Sequence, residues 1–198
     1  MNPSGPAERG EAEQRSTRVC VYCASADGIP AHYLDLARDV GAGIAARGWE
    51  LVSGGGRVSM MGAVARAARA GGARTTGVIP QSMVEREWAD HDSDELLVVD
   101  TMRERKAAME DRADAFLTLP GGIGTCEEFF EVWTSGVLRL HDKPVVVLDP
   151  DGHYAGLLDW LRGVVSRGFL RDSALARLTV TAEVGPALDA CGRSVTTY

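Results

Sequence analysis

Leu119–Glu128 reads LPGGIGTCEE, and the segments on either side of it decide the fold. Ahead of it lies the apolar run Ala115–Leu119, short and ended by turn residues, as a buried strand is. After it, Phe129-Phe130-Glu131-Val132-Trp133 carries a helix onward. A strand, a glycine loop and a helix start together aim several unpaired backbone N–H groups at one point, an arrangement that receives an anion. Gly121, Gly122 and Gly124 permit positive φ and a close approach of ligand to backbone, with Ile123 between them. Thr125 is placed to cap the helix and to offer its hydroxyl. Glu128 stands in the first turn beside this cradle. A phosphate needs no second negative charge, so the acid points to chemistry on the phosphate-bearing molecule. Thr125-Cys126-Glu127-Glu128 also fits a T-x-x-E capping box, in which the glutamate serves the helix end. The two readings are compatible, because a cap would itself aim the carboxylate.

Outward from this loop the same alternation recurs. The sequence predicts strands at Arg18–Cys23, Glu50–Ser53, Arg74–Ile79, Leu96–Val99, Ala115–Leu119, Pro144–Leu148 and Leu178–Thr181. Tyr33, Ala37, Val40 and Ile44 recur at helical spacing, with Gly48 as a stop. Further helices are expected over Met60–Ala70, Thr101–Arg112, Thr125–Leu140, Tyr154–Arg167 and Val184–Cys191. Strands rich in Val, Leu and Ile, separated by helices, imply an α/β, Rossmann-like doubly wound parallel sheet of about seven strands with helices on both faces. Ligands of such sheets sit at the carboxyl ends of the strands, where the strand order reverses. Residues 1–17 read as a disordered polar tail and 18–198 as a single nucleotide-binding domain.

Composition narrows the function. The chain has 198 residues, 45% of them hydrophobic, enough for one buried core. A net charge of -7 with no long basic face argues against nucleic acid as a partner, yet leaves room for a small anionic ligand. No run of about 18 apolar residues is present, so no membrane span is expected, and the N-terminus lacks the apolar centre of a signal peptide. A cytoplasmic location is expected. Cys20 and Cys23 form a C-x-x-C within a strand, where positions three apart face opposite sides, so no metal site is expected there. Cys126 is either a thiol activated by the helix N-terminus or a small residue in a tight turn.

Two more segments reach the same sheet edge. Ser53-Gly54-Gly55-Gly56 follows a strand but lacks both the G-x-G-x-x-G order and a P-loop lysine, so it is either part of the ligand crevice or a tight turn. Met102-Arg103-Glu104-Arg105-Lys106 opens a helix after Leu96–Val99 and offers the positive charge that an anionic ligand needs. Its alternative is a solvated face of Arg–Glu pairs. His32 and His91 read as solvent-facing, His141 as a loop residue, and His153 as part of a turn with Asp151-Gly152.

PGGIGTCEE, SGGGRVSMMG and MRERK together resemble the Lonely guy (LOG) family of cytokinin-activating nucleoside 5′-monophosphate phosphoribohydrolases, often mislabelled lysine decarboxylases. The match runs from roughly Val19 to Leu170 and includes GVIP at Gly77–Pro80 and LHDKP at Leu140–Pro144. The resemblance implies a homodimer that splits the bond between an adenine and ribose 5′-phosphate without metal or cofactor. It places the catalytic pair on Arg105 and Glu128. It places substrate contacts on Glu87, Met102, Lys106, the loop Gly121-Gly122-Ile123-Gly124-Thr125, and Thr134. The chain departs from the family where Ala24 and Ser59 replace glycines, where Arg103 replaces a histidine, and at Thr134–Arg139, where TSGVLR stands for TWxQLG. Two other readings remain at this stage. One is a nucleotide or molybdenum-cofactor carrier without turnover, and the other a phosphoribohydrolase for a different nucleobase.

Overall fold

Side chains of β1 (Arg18–Tyr22) alternate between two cores: Val19 and Val21 enter one, Cys20 and Tyr22 the other, and all four are buried. A strand covered on both faces must lie inside a layered sheet, and β1 is the central one. The computed structural model describes residues 16–84, 86 and 88–193. With β2 (Glu50–Ser53), β3 (Thr75–Pro80), β4 (Glu95–Val99), β5 (Ala115–Thr118), β6 (Val145–Leu148) and β7 (Leu178–Thr181), β1 forms a parallel sheet of order β4-β3-β2-β1-β5-β6-β7. In register, Cys20 lies beside Val52 on one side and Phe116 on the other. Cys23 continues into the first core, so the C-x-x-C thiols do lie on opposite faces of the sheet.

One face is covered by α1 (Ala31–Ala46), α2 (Ser59–Ala70) and α8 (Val184–Cys191), through Val40, Ile44, Val64, Ala68 and Leu188. The other is covered by α4 (Met102–Arg112), α5 (Ile123–Val137) and α6 (Ala155–Ser166), through Met109, Phe129, Val132, Trp133 and Leu161. The short helices α3 (Gln81–Val84) and α7 (Asp172–Leu175) were not expected from the sequence. Of the tail assigned to residues 1–17, residues 1–15 lie outside the described residues. Ser16 donates its hydroxyl to the Gly48 carbonyl at 2.7 Å, and the Thr17 carbonyl accepts the Glu50 N–H at 2.9 Å.

The chain winds outward from β1 to β4, then returns to place β5 on the other flank of β1. That reversal opens a crevice at the carboxyl ends of β1 and β5, where the loops after both strands converge. Strand limits fall within one residue of those read from the sequence. The exception among the helices is α5, which begins at Ile123 rather than Thr125 and ends at Val137 rather than Leu140. Its end is a Schellman arrangement: Leu140 N–H bonds the Ser135 carbonyl and Arg139 N–H the Gly136 carbonyl, both at 3.0 Å. Arg139 holds the left-handed position at φ 62, and Ser59 at the start of α2 is left-handed too, at φ 52. The Ser59 hydroxyl donates to the Ala26 carbonyl at 2.7 Å, which ties α2 to the loop after β1.

Arg139 is exposed and its strained backbone has no side-chain compensation of that kind. Arg139→Gly is expected to raise stability by about 0.5–1 kcal/mol, the left-handed penalty less the entropy glycine adds to the unfolded chain. Urea denaturation of the two proteins measures it, and an unchanged or lower midpoint contradicts the strain argument.

Candidate active site

α4 is fixed at its start by a capping box. The Glu104 N–H donates to Thr101 Oγ1 at 3.1 Å, and Glu104 Oε2 accepts the Thr101 N–H at 3.3 Å and the Asp100 N–H at 3.0 Å. The next residue, Arg105, then turns inward over the carboxyl ends of β2 and β3. Its Nε donates to the Val78 carbonyl at 3.1 Å and Nη2 to the Gly54 carbonyl at 3.3 Å. Its Nη1 donates to Glu128 Oε1 at 2.7 Å. Both residues are buried, Arg105 to 7% and Glu128 to 9% exposure. Burial pushes the Glu128 carboxyl above its ordinary range, and the Arg105 guanidinium opposes that rise. The pair joins two helices across the sheet edge and holds one carboxylate oxygen in a fixed direction.

Glycine is required behind the pair. A Cβ on Gly54 would fall 1.7 Å from Arg105 Nη2, and Gly55 takes φ +69 with its Cβ position 3.1 Å from the Val78 nitrogen. The Ser53–Gly56 cluster is therefore the floor under Arg105.

The glycine loop differs from expectation in two respects. None of Gly121, Gly122 and Gly124 has a positive φ; Gly122 is the N-cap of α5 at φ -91. Gly121 serves for space, since a Cβ there would lie 2.2 Å from Thr125 Oγ1, whereas the Cβ positions of Gly122 and Gly124 meet nothing within 4 Å. Nor does Thr125 cap the helix. It is buried inside the first turn, and no side chain caps α5, because Glu128 turns to Arg105 rather than back to Thr125. The capping box belongs to α4. With no side-chain cap, the N–H groups of Gly122, Ile123 and Gly124 donate to no acceptor among the described residues, while the Gly121 N–H faces the Tyr154 hydroxyl. Open main-chain donors at a helix start are suited to an anion.

Lys106 bridges the same two helices. Its ammonium contacts Glu127 and lies 2.6 Å from Glu131 Oε2, and these two bonds raise its pKa. Arg105 and Lys106 of the basic run thus pair with acids of α5 rather than forming a free cationic patch. Arg103 stays exposed. Met102 is exposed at the first position of α4. Thr134 lies on the exposed side of α5, roughly 13 Å along the helix from Thr125. The structure brings Arg105, Lys106, Glu128 and the loop Gly121–Thr125 together, and leaves Met102 and Thr134 at the surface. Glu87 lies outside the described residues. Cys126 is not activated, because burial pushes its thiol up.

Sequence reasoning missed His153, whose Nε2 lies 2.9 Å from the Gly121 carbonyl. The signal available was its place just after β6, the strand beside β5.

A doubly wound α/β sheet with open main-chain donors at its switch point, and a buried guanidinium–carboxylate pair beside them, defines a protein that handles a small anionic ligand at the crevice. The family model described as "Possible lysine decarboxylase" matches residues 61–191. The chain is 57% identical over 176 residues to the cytokinin riboside 5′-monophosphate phosphoribohydrolase of Mycobacterium tuberculosis, covering 89% of this chain and 94% of that one. It is 45% identical over 165 residues to the enzyme of that name, LOG, of Oryza sativa subsp. japonica, covering 83% of this chain and 68% of that one. The chain belongs to this family, the Lonely guy family of phosphoribohydrolases. Among solved structures, the molybdenum cofactor binding protein of Rippkaea orientalis matches with a TM-score of 0.68 at 19% identity, over 89% of this chain and 95% of that one. The molybdenum cofactor carrier protein of Chlamydomonas reinhardtii matches with a TM-score of 0.65 at 20% identity, over 89% of this chain and 96% of that one. At such identities the likeness is one of fold.

Gly54→Ala is expected to displace the Arg105 guanidinium and to cost about 1–3 kcal/mol, as overpacking does. Urea unfolding reads the loss, and a stability equal to the parent would contradict the close contact.

Proposed function

We propose that this chain hydrolyses the N-glycosidic bond of an adenosine 5′-monophosphate, plain or prenylated, to the free base (an active cytokinin) and ribose 5-phosphate. The observation that carries the reading is the buried Arg105–Glu128 pair, 2.7 Å apart, beside an uncapped helix start. The N–H groups of Gly122, Ile123 and Gly124 take the 5′-phosphate and hold the sugar against Glu128. As the bond from the ribosyl carbon to the base nitrogen breaks, positive charge builds on that carbon, and the Glu128 carboxylate stabilises it. A water oxygen bonds the same carbon, one water proton is released, and the departing nitrogen is protonated. At about 4 Å and an effective dielectric of 20 the attraction is on the order of 4 kcal/mol. That is about three orders of magnitude in rate if realised only in the transition state.

Arg105 has its donors on Glu128, Val78 and Gly54, so its contribution runs through Glu128, which it orients and helps keep ionised. Lys106 and Thr125 border the phosphate, and Met102, Glu87 and Thr134 are assigned to substrate contact by family position. Decarboxylation through pyridoxal phosphate does not fit the residues present, because it needs a lysine that readily loses its proton. The chain's lysines are Lys106, held as an ammonium by Glu127 and Glu131, and Lys143, which bonds the Glu110 carbonyl just before β6. Carriage without turnover has no use for the buried acid.

We further propose a cytoplasmic homodimer. The apolar residues Ile123, Leu138 and Leu140, exposed at 91%, 64% and 74% around α5, support an interface with a second copy. The free Cys20, Cys23, Cys126 and Cys191 agree with a reducing compartment. No helix among the described residues is long and apolar enough to cross a membrane.

Glu128→Gln is expected to retain nucleotide binding by calorimetry and to lose at least about a hundredfold in kcat. Near-normal turnover would remove Glu128 from the chemistry. The same assay run with a panel of nucleoside monophosphates, AMP and isopentenyl-AMP included, identifies the base.

The acidic limb of the rate profile should lie above the ordinary carboxylate range, because burial raises Glu128 and only its ionised form stabilises a cation. Activity is therefore full above that pKa and falls as the pH drops through it. Arg105→Gln removes the opposing influence and should move the limb to higher pH. A limb that stays in place would show that Glu128 titrates independently of Arg105.

A further inference from the structure

Three successive carbonyls at the tip of β5 are captured by other parts of the chain. The Leu119 carbonyl accepts the Tyr154 hydroxyl at 2.8 Å, and the Pro120 carbonyl accepts the Ala24 N–H at 3.2 Å. The Gly121 carbonyl lies 2.9 Å from His153 Nε2. A carbonyl only accepts, so the imidazole carries its proton on Nε2. In a planar trans peptide the C=O of one residue and the N–H of the next point in opposite directions. Capture of the Pro120 oxygen therefore turns the Gly121 N–H away from Ala24. Capture of the Gly121 oxygen likewise turns the Gly122 N–H away from His153, and that N–H has no acceptor among the described residues.

His153 is itself held in place. The turn at Gly152, φ +78, brings it back over the loop. Its ring packs edge-on against Tyr154 at 4.7 Å and against Tyr33 at 6.2 Å. Tyr33 donates to Asp151 Oδ2 at 2.6 Å, and the Tyr154 N–H donates to Asp149 Oδ2 at 3.0 Å. The ring remains exposed, so its bond to Gly121 does not satisfy a buried group that the fold would otherwise leave unpaired.

We infer that His153 is a positioning residue of the phosphate loop: its Nε2–H fixes the Gly121–Gly122 peptide so that the Gly122 N–H meets the ligand's phosphoryl oxygens. This rests on the reading of the crevice as a nucleotide 5′-phosphate site. His153 acts through the peptide and does not touch the reacting atoms.

The test compares His153→Phe, which keeps the ring packing without the donor, with His153→Gln, which restores an N–H donor. Binding of ribose 5-phosphate is measured by calorimetry, KM and kcat with AMP, and inhibition by free adenine, which carries no phosphate. His153→Phe is expected to raise the ribose 5-phosphate Kd and the AMP KM together by about fivefold, the scale of one neutral hydrogen bond. The kcat should stay within about twofold and adenine inhibition should not change. His153→Gln should recover most of the affinity. The inference is overturned if the ribose 5-phosphate Kd is unchanged in His153→Phe, if adenine inhibition weakens equally, or if His153→Gln recovers nothing. A parent protein that binds ribose 5-phosphate through His153 yet releases no base would sink the hydrolase reading and leave this one standing. A parent that hydrolyses AMP, with His153→Phe equal to it in every constant, would do the reverse. A parent that binds no ribose 5-phosphate overturns both.

Discussion

Burying a guanidinium and a carboxylate together is tolerated only when their geometry is good and further hydrogen bonds hold the charged groups, and in the Arg105–Glu128 pair each guanidinium nitrogen has a partner. Its neighbours are arranged around that demand. The cap on α4 sets where Arg105 leaves its helix, the Val78 and Gly54 carbonyls take its other donors, and the absence of a side chain at Gly54 gives it room. Removing either charge would leave the other buried and unpaired. The pair is therefore a positional lock between α4 and α5 as much as a chemical group.

The topology supplies the second half of the site. Because β5 returns to the flank of β1, the loops after both strands share one crevice, and α5 begins there without a side-chain cap. The main chain thus provides donors while Glu128, one turn deeper, provides the acid. Lys106 adds a second tie across the same helices through Glu127 and Glu131. The two helices beside the loop are thus tied by paired positive and negative groups.

The architecture was largely legible because apolar runs of strand length recur between amphipathic helices, and that periodicity depends on local sequence. The opposite facing of Cys20 and Cys23 was legible for the same reason. Partner choice was less so. T-x-x-E occurs both at Thr101–Glu104 and at Thr125–Glu128, and spacing cannot tell that the second glutamate meets Arg105, twenty-three positions away. Nor does composition disclose that Gly121 serves for clearance rather than for backbone handedness. His153 reads as a turn residue until β6 is placed next to β5. Contacts between elements distant in sequence account for each of these differences.

Ser59 and Arg139 lie at two of the positions where the resemblance leads one to expect glycine, and both hold left-handed backbone of the kind glycine adopts freely. At those points the main chain takes a shape without the residue type that makes it easy. The fold is thus more durable than its own sequence signature, and a search keyed to those glycines would overlook chains that still trace the same path.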